Sequence, residues 1–194
     1  MDTKHPDFST SYKPDHVCPW WLAYSFDNPL RRIFHNPDKI FSRFILKGQT
    51  VLDIGCGMGY FTLEMANLVG SSGKVIAVDI QDKMLAITDK RLMDKGLDKR
   101  VQIHKSSPDC IGIKEPIDFV LAFWMVHEVS NKESFLIEIR NLLKTNGRFL
   151  IVEPRLHVSE SYFAATIKLA GTVDLIPCDP VKIALSRAVL LKPV

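Results

Sequence analysis

The stretch Val51–Gly59, with the sequence Val-Leu-Asp-Ile-Gly-Cys-Gly-Met-Gly, constrains the fold of this chain more than any other feature. An apolar run ends in an acid and three glycines at alternate positions, and a helix-forming run follows from Tyr60 to Ala66. Glycine tolerates backbone angles and close approaches that a side chain forbids, so such a turn brings main-chain N–H groups against a ligand. The carboxylate of Asp53 would repel a phosphate and attract an ammonium or sulfonium. The stretch therefore predicts a turn that binds a cationic ligand.

A second acid strengthens this prediction. Lys74–Asp79 has the pattern of another buried parallel strand and ends in a carboxylate 26 residues after Asp53. An acid at this position typically accepts hydrogen bonds from the hydroxyls of a ribose. The two segments together indicate a ligand with a ribose and a cationic tail but without a phosphate, which S-adenosylmethionine matches and NAD does not. The spacing G-x-G-x-G also differs from the G-x-G-x-x-G of dinucleotide-binding proteins.

With these motifs the chain resembles the class I S-adenosylmethionine-dependent methyltransferases. The resemblance runs from about residue 40 to 155, is closest to the broad small-molecule branch, and rests on four segments: Val51–Tyr60, Val75–Met84, Ile117–Val129 and Asn141–Pro154. The segment Leu185–Lys192 is similar to the last strand of such domains. The resemblance implies a Rossmann-like, doubly wound α/β fold. Its seven-stranded, mostly parallel sheet would have the order 3-2-1-4-5-7-6, with the last strand antiparallel.

The composition suits a globular protein and gives little sign of a macromolecular partner. Of the 194 residues, 46% are hydrophobic and 24% are charged, and the net charge of +3 is too small to indicate nucleic acid. The longest apolar run, Phe119–Val126, is too short to span a membrane, and the N-terminus has no apolar signal core, so we expect no membrane association and a cytoplasmic location. The four cysteines form no C-x-x-C pair, so no metal is expected. The oligomeric state stays open.

Two parts are predicted along the chain. Residues 1–36 contain seven of the 18 aromatic residues and four of the 11 prolines, whereas residues 37–194 alternate strands with helices. We expect a tail over residues 1–15 and an aromatic lid over residues 16–36 that covers the mouth of the site. The alternative is an arm packed on the core away from the ligand.

The periodicity of apolar residues predicts the elements of the second part. The predicted strands lie near residues 50–54, 74–79, 101–105, 117–122, 148–153, 172–177 and 183–191. The predicted helices lie near residues 38–46, 59–69, 82–95, 131–144 and 158–170. A capping box begins at Ser130, and Asn146-Gly147 marks the expected end of the helix that follows it.

The resemblance assigns cofactor contacts to several residues. Gly55, Gly57 and Gly59 would pass beneath the methionine part of the cofactor, and Asp53 would hold its amino group. Asp79 would accept both ribose hydroxyls. The remaining expected contacts are Ile80 and Met84 at the adenine, Ser106 or Ser107 at the adenine amino nitrogen, and the carbonyls of Ala122 and Phe123 at the amino group. For Ser106-Ser107-Pro108, the alternative is a helix start. For Met84 it is ordinary helix packing, and for Asp53 it is a cap of the next helix.

The predicted acceptor side combines aromatic and polar groups. Trp20, Trp21 and Tyr24 belong to the proposed lid, and Trp124 would line the acceptor pocket. The alternative for Trp124 is packing in the core. His127 is the candidate general base, because histidine titrates near neutral pH, and the alternative is a structural histidine at the junction of strand and helix. Glu153 would bind a polar substrate, the alternative being a solvated loop.

The leading functional hypothesis is a methyltransferase that acts on a small-molecule acceptor by in-line displacement. A chain that binds S-adenosylmethionine without catalysis, as a sensor or a partner subunit, is the main alternative, and a NAD-dependent oxidoreductase is a third. The Asp/Asn-Pro-Pro-Tyr tetrad of nucleic-acid amino methyltransferases is missing, which counts against DNA bases as acceptors.

Overall fold

A computed structural model describes residues 31–194, and its centre is one seven-stranded sheet. The strands are β1 (Thr50–Ile54), β2 (Lys74–Asp79), β3 (Val101–Lys105), β4 (Ile117–Phe123), β5 (Leu143–Pro154), β6 (Leu175–Pro177) and β7 (Ser186–Pro193). Their order is β3-β2-β1-β4-β5-β7-β6. The first five strands are parallel, whereas β7 is antiparallel to both β5 and β6. The predicted fold class, strand order and antiparallel last strand are therefore confirmed.

Six α-helices surround the sheet in the described part of the chain: α1 (Arg31–Phe34), α2 (Pro37–Phe41), α3 (Tyr60–Val69), α4 (Asp82–Lys95), α5 (Lys132–Leu142) and α6 (Glu160–Thr172). No helix within residues 31–194 combines the length and the apolar character that a membrane span requires.

Alternate residues of the central strands face two separate layers of helices. Leu52 of β1 packs in one core with α5 and α6, and Val51 packs in a second core with α2, α3 and Leu92 of α4. Burial on both faces explains why these strands are nearly continuous apolar runs. Parallel pairing of β1 with β2 and with β4 places the carboxyl ends of the three strands together.

Several predicted boundaries are wrong. The cap of α5 is Asn131, whose side chain accepts a hydrogen bond from the N–H of Ser134, and not Ser130. This helix ends at Leu142 because Leu143 already pairs with Ile117 of β4, so β5 begins five residues before its predicted start. The helix predicted over residues 38–46 is only five residues long, and turns continue the chain beyond Phe41.

Asn146-Gly147 consequently lies inside β5, beside the register shift between β4 and β5, and not at a helix end. A Cβ atom on Gly147 would lie 2.8 Å from the carbonyl oxygen of Lys144 and 3.1 Å from that of Ile117. Glycine is needed here for a close backbone approach.

We therefore expect Gly147→Ala to destabilise the protein by about 1–3 kcal/mol, because two backbone carbonyls must move to admit the methyl group. Gly171→Ala is the matched control, since its added Cβ in α6 would meet no atom within 4 Å. That change should stabilise the helix by up to about 1 kcal/mol. Urea unfolding of the three proteins measures both effects, and an unchanged midpoint for Gly147→Ala would contradict this account.

Candidate functional site

The turn after β1 is built on three glycines with left-handed backbone angles. The φ angles of Gly55, Gly57 and Gly59 are 69°, 55° and 79°. The N–H groups of Gly55 and Cys56 both donate to the carbonyl oxygen of Val78, at 2.8 and 3.0 Å, which joins the turn to the end of β2. An L-residue with a Cβ atom would be strained at each glycine.

The three glycines have different surroundings. A Cβ on Gly59 would lie 2.9 Å from Cγ2 of Thr88, so this glycine allows α4 to pack against the turn. A Cβ on Gly55 would lie 3.0 Å from Cγ of Met125. A Cβ on Gly57 would meet no atom within 4 Å and would project into open space. Gly57 is therefore the position where a ligand can approach the main chain.

Asp79 at the end of β2 binds the turn directly. Its Oδ2 atom accepts a hydrogen bond from the N–H of Gly57 at 3.0 Å, and its Oδ1 atom accepts one from the N–H of Gln81 at 2.9 Å. Burial raises the pKa of the Asp79 carboxyl, and these backbone hydrogen bonds oppose that rise. The carboxylate thus fixes the turn, a role that the sequence did not indicate, and each oxygen keeps a further lone pair for a ligand.

Asp53 lies beneath the turn, at the end of β1. It is 2% exposed, and its Oδ2 atom accepts a hydrogen bond from the hydroxyl of Thr62 in α3 at 2.6 Å. Burial raises the pKa of Asp53 to about 6, while Thr62 and the charge of Arg31 act in the opposite direction. A buried carboxylate that is costly to ionise is the kind of group that a ligand cation stabilises.

A cavity of about 470 Å³ opens at the carboxyl ends of β1, β2, β3 and β4. Many of the predicted contact residues line it: Gly55, Gly57, Asp79, Ile80, Met84, Ser106, Ser107, Phe123 and Trp124. Five predicted residues are not among its lining: Asp53, Gly59, Ala122, His127 and Glu153. No helix starts at Ser106, because residues 106–110 form a turn closed by a bridge between Ser107 and Cys110.

Several polar residues of the wall were not predicted. Glu128 lines the cavity after β4, and Asn131, Ser134 and Glu138 line it from the start of α5. Glu138 accepts hydrogen bonds from the N–H groups of Ile111 and Gly112, both at 2.9 Å, and so holds the loop after β3. The sequence pattern that could have indicated these residues is a polar stripe on one face of α5. Such a stripe is also typical of any solvated helix.

The residue after β4 has an unusual backbone. Trp124 has a φ of 60°, which a bulky residue adopts only where its surroundings impose it. Its N–H donates to the carbonyl oxygen of Val152 at 2.7 Å, and its indole Nε1–H donates to Oγ of Ser186 at 3.1 Å. Contacts with β5 and β7 therefore hold the ring of Trp124 in the wall of the cavity.

His127 and Glu153 form a buried pair behind this wall. Glu153 accepts hydrogen bonds from the backbone N–H of His127 at 2.8 Å and from its Nδ1 at 2.6 Å. Glu153 is 2% exposed, so the alternative that placed it in a solvated loop is wrong. The Nε2 atom of His127 lies 4.0 Å from Oε1 of Glu128, which does line the cavity. The catalytic role of His127 and the substrate contact of Glu153 stay predictions.

The described end of the predicted lid, residues 31–36, lies against the same wall. The ring of His35 makes edge contacts with Phe123 and Trp124, both at 5.1 Å between centroids, and its Nε2 lies 2.9 Å from the carbonyl oxygen of Ala184. The hydroxyl of Tyr60 donates to the carbonyl oxygen of His35 at 3.0 Å. The predicted acceptor contacts Trp20, Trp21 and Tyr24 lie outside the described residues.

Among residues 31–194, no cluster of three or more histidine, cysteine or acidic side chains is arranged to hold a metal ion.

Gly57 provides a test of the cavity as the cofactor site. Gly57→Ala should lower the affinity for S-adenosylhomocysteine at least about tenfold, because the new methyl group enters the space next to the main chain. Gly96→Ala is the matched control: Gly96 also has a positive φ, of 65°, and open surroundings, but it caps α4 away from the cavity. Calorimetric titration of both variants measures the difference. Normal binding by a folded Gly57→Ala variant would exclude this turn as the site.

The chain matches the family model described as a methyltransferase domain over residues 45–174, about two thirds of its length. Among curated proteins, the ubiquinone/menaquinone biosynthesis C-methyltransferase UbiE of Azotobacter vinelandii is 33% identical over 110 residues. That match covers 56% of this chain and 44% of the relative, so the chain spans about half the length of the curated protein that it matches.

Solved structures agree in fold. A SAM-dependent methyltransferase from Aquifex aeolicus superposes with a TM-score of 0.79 and 24% identity, covering 95% of this chain and all of that one. A SAM-dependent O-methyltransferase from Thermotoga maritima gives a TM-score of 0.66 and 22% identity, over 82% of this chain and 64% of that one. The comparisons confirm the predicted family and its cofactor, S-adenosylmethionine. The chain belongs to the methyltransferase-domain family of S-adenosylmethionine-dependent methyltransferases.

Proposed function

We propose that the chain transfers the methyl group of S-adenosylmethionine to a small-molecule acceptor, at the cavity where β1, β2 and β4 end. The observation that supports this most directly is the open space at Gly57 beside the carboxylate of Asp79. That arrangement offers main-chain contact and hydroxyl acceptors, and no cluster of phosphate-binding groups.

The residues of the cavity suit each part of the cofactor. Asp79 would accept the ribose hydroxyls with the lone pairs that the backbone leaves unused. Ile80 and Met84 would supply apolar contact to the adenine, and Ser106 or Ser107 a polar contact to its amino group. Asp53, beneath the turn, would balance the charge of the methionine ammonium.

When bound, the cofactor supplies an activated methyl group on a sulfonium. The chain then has to hold the acceptor in line with that group and to exclude water. These two effects account for most of the rate enhancement in such a transfer. Residues 31–36 already cover the wall formed by Phe123 and Trp124, which supports a covering role for the whole segment 16–36.

The acceptor side favours a planar, largely apolar molecule with a hydroxyl group. Apolar side chains from the turn after β4 and from α5 line the cavity: Phe123, Trp124, Met125, Val129 and Phe135. Glu128 is a carboxylate on the same wall and is suited to hold a hydroxyl. Together with the name of the Azotobacter relative, this supports transfer to carbon on a hydroxylated, quinone-type ring. Nucleic acid is disfavoured by the small net charge and the missing tetrad.

His127 is proposed to act through Glu128. Its Nδ1 is bound to Glu153, which fixes the ring with Nε2 4.0 Å from the Glu128 carboxylate. The distance of 4.0 Å is longer than a hydrogen bond, so His127 would position Glu128 through packing and charge, without itself contacting the acceptor. The identity of the small-molecule acceptor and the cytoplasmic location stay predictions, and the oligomeric state stays open.

Formation of S-adenosylhomocysteine in the presence of hydroquinone-type acceptors tests the proposal. We expect turnover only when cofactor and acceptor are both present. Glu128→Gln should lower kcat by about 10- to 100-fold while cofactor affinity changes less than about twofold, because the amide cannot take a proton. Glu133→Gln, an exposed position on the first turn of α5, is the control and should have the activity of the unmodified protein.

Two outcomes would contradict the proposal. Tight cofactor binding without methyl transfer to any small acceptor would favour a non-catalytic binding protein. Transfer to RNA or DNA but to no small molecule would show that the acceptor class is wrong.

The raised pKa of Asp53 predicts a pH dependence of cofactor binding. Its folded-state pKa of about 6 exceeds the ordinary 3.8, so between these values the folded chain binds a proton that the unfolded chain does not. Its contribution to folding stability is therefore greatest below pH 3.8 and is lost as the pH rises through 6. An ammonium favours the ionised carboxylate, so cofactor affinity should fall below about pH 6, by at most about tenfold per pH unit.

Asp53→Asn should remove this part of the pH dependence and bind more weakly at pH 7.5. Titrations with S-adenosylhomocysteine between pH 5 and 8 measure both effects. Asp79 also titrates at the site and is present in both proteins, so the difference between the two curves isolates Asp53. Parallel curves would show that Asp53 does not balance the ligand charge.

A further inference from the structure

The guanidinium of Arg31 is surrounded by four aromatic rings, two of which belong to residues that line the cavity. Its guanidinium carbon lies 4.5 Å from the ring centroid of Tyr60 and 4.9 Å from that of Phe61. The rings of Phe123 and Trp124 are 5.6 and 5.8 Å away. Contacts of this kind attract a guanidinium and keep it in place away from bulk water.

The position of these rings locates the cation. Tyr60 and Phe61 begin α3 directly after the glycine turn, and Phe123 and Trp124 are part of the cavity wall. Arg31 therefore stands where the turn after β1 meets the end of β4. The proposed placement puts the methionine part of the cofactor near this junction, beside Phe123 and Trp124 of the cavity wall.

Asp53 lies near enough for the two charges to interact, since the charge of Arg31 lowers the pKa of Asp53 against the larger effect of burial. The site thus combines a buried carboxylate with a partly buried guanidinium. The amino acid end of the cofactor has the opposite arrangement, an ammonium and a carboxylate on one carbon atom. A planar guanidinium also matches a carboxylate with two parallel hydrogen bonds, which a lysine cannot form.

We propose that Arg31 binds the α-carboxylate of the methionine part of S-adenosylmethionine, opposite the ammonium site at Asp53. The inference rests on the proposed placement of the cofactor and adds a contact that neither the motifs nor the glycine turn provides.

His35 anchors the segment of the predicted lid that contains Arg31. His35 is four residues after Arg31, is 2% exposed, and is held by Tyr60 and by the carbonyl oxygen of Ala184. The cofactor carboxylate would therefore bind a segment that is already attached at its far end. Cofactor binding would then hold residues 31–35 against the wall formed by Phe123 and Trp124.

The test compares two ligands that differ in the amino acid end. S-adenosylhomocysteine has the carboxylate and the ammonium, whereas 5′-methylthioadenosine has neither. Arg31→Met should weaken binding of the first by about 10- to 100-fold and change binding of the second by less than about twofold. Arg31→Lys should give an intermediate loss with the first ligand, because it keeps the charge and loses the paired hydrogen bonds.

Arg32→Met is the matched control, because Arg32 is exposed on the same short helix. It should bind both ligands as the unmodified protein does. An equal loss of both ligands in Arg31→Met would show that Arg31 only packs the wall, and unchanged affinity for both would show that it does not touch the cofactor; either result overturns the inference. Failure of the unmodified protein to bind either ligand would instead overturn the proposed cofactor site.

Discussion

The candidate site depends on the attachment of the turn after β1 to the end of β2. Two N–H groups of the turn donate to the carbonyl oxygen of Val78, and a third, from Gly57, donates to the carboxylate of Asp79. These bonds hold a loop of strained angles in one shape, so the energy of ordering it is spent in folding and not in ligand binding. The side chain of Asp79 both fixes the shape of the turn and lines the cavity. Loss of Asp79 would therefore affect the main-chain contacts as well as the ribose contact.

A second polar cluster fixes the turn after β4. Glu153 of β5 binds His127 through the backbone N–H and the ring, and the ammonium of Lys132 donates to the carbonyl oxygen of Val129 at 2.7 Å. Burial lowers the pKa of Lys132, and the charge of Glu153 opposes that effect. A buried carboxylate is costly unless it is satisfied, and here the bonds that satisfy it also place Glu128 on the cavity wall. The contacts of this cluster stabilise the fold, and they also set the position of Glu128.

The sequence predicted those parts of the structure that repeat a local pattern. Apolar runs ending in Asp53 and Asp79 gave the central strands, and alternate glycines gave the turn between β1 and α3. The prediction of a capping box at Ser130 was wrong because Asn131, one residue later, has an equally good capping side chain. Local chemistry does not distinguish the two residues. The predicted start of β5 was wrong because it depends on the pairing of Leu143 with Ile117, which is a contact between segments distant in the sequence. The role of Glu138 was missed for the same reason, because its partners at Ile111 and Gly112 are more than 25 residues away.

The N-terminal segment shows most clearly what a residue pattern cannot supply. Its aromatic residues suggested a lid, yet within the described chain the contacts come mainly from a cation and an imidazole that enter an aromatic wall built by α3 and β4. Neither Arg31 nor His35 belongs to a motif, and their neighbours Arg32 and Phe34 are exposed. What distinguishes Arg31 is the place where four rings from two separate segments meet, and folding creates that place. The contacts of Arg31 and His35 with Phe123 and Trp124 help to stabilise the short helix α1, which has little intrinsic stability. Phe123 and Trp124 therefore connect the proposed cofactor contact of Arg31 with the acceptor side, because both contact Arg31 and His35 and both line the cavity.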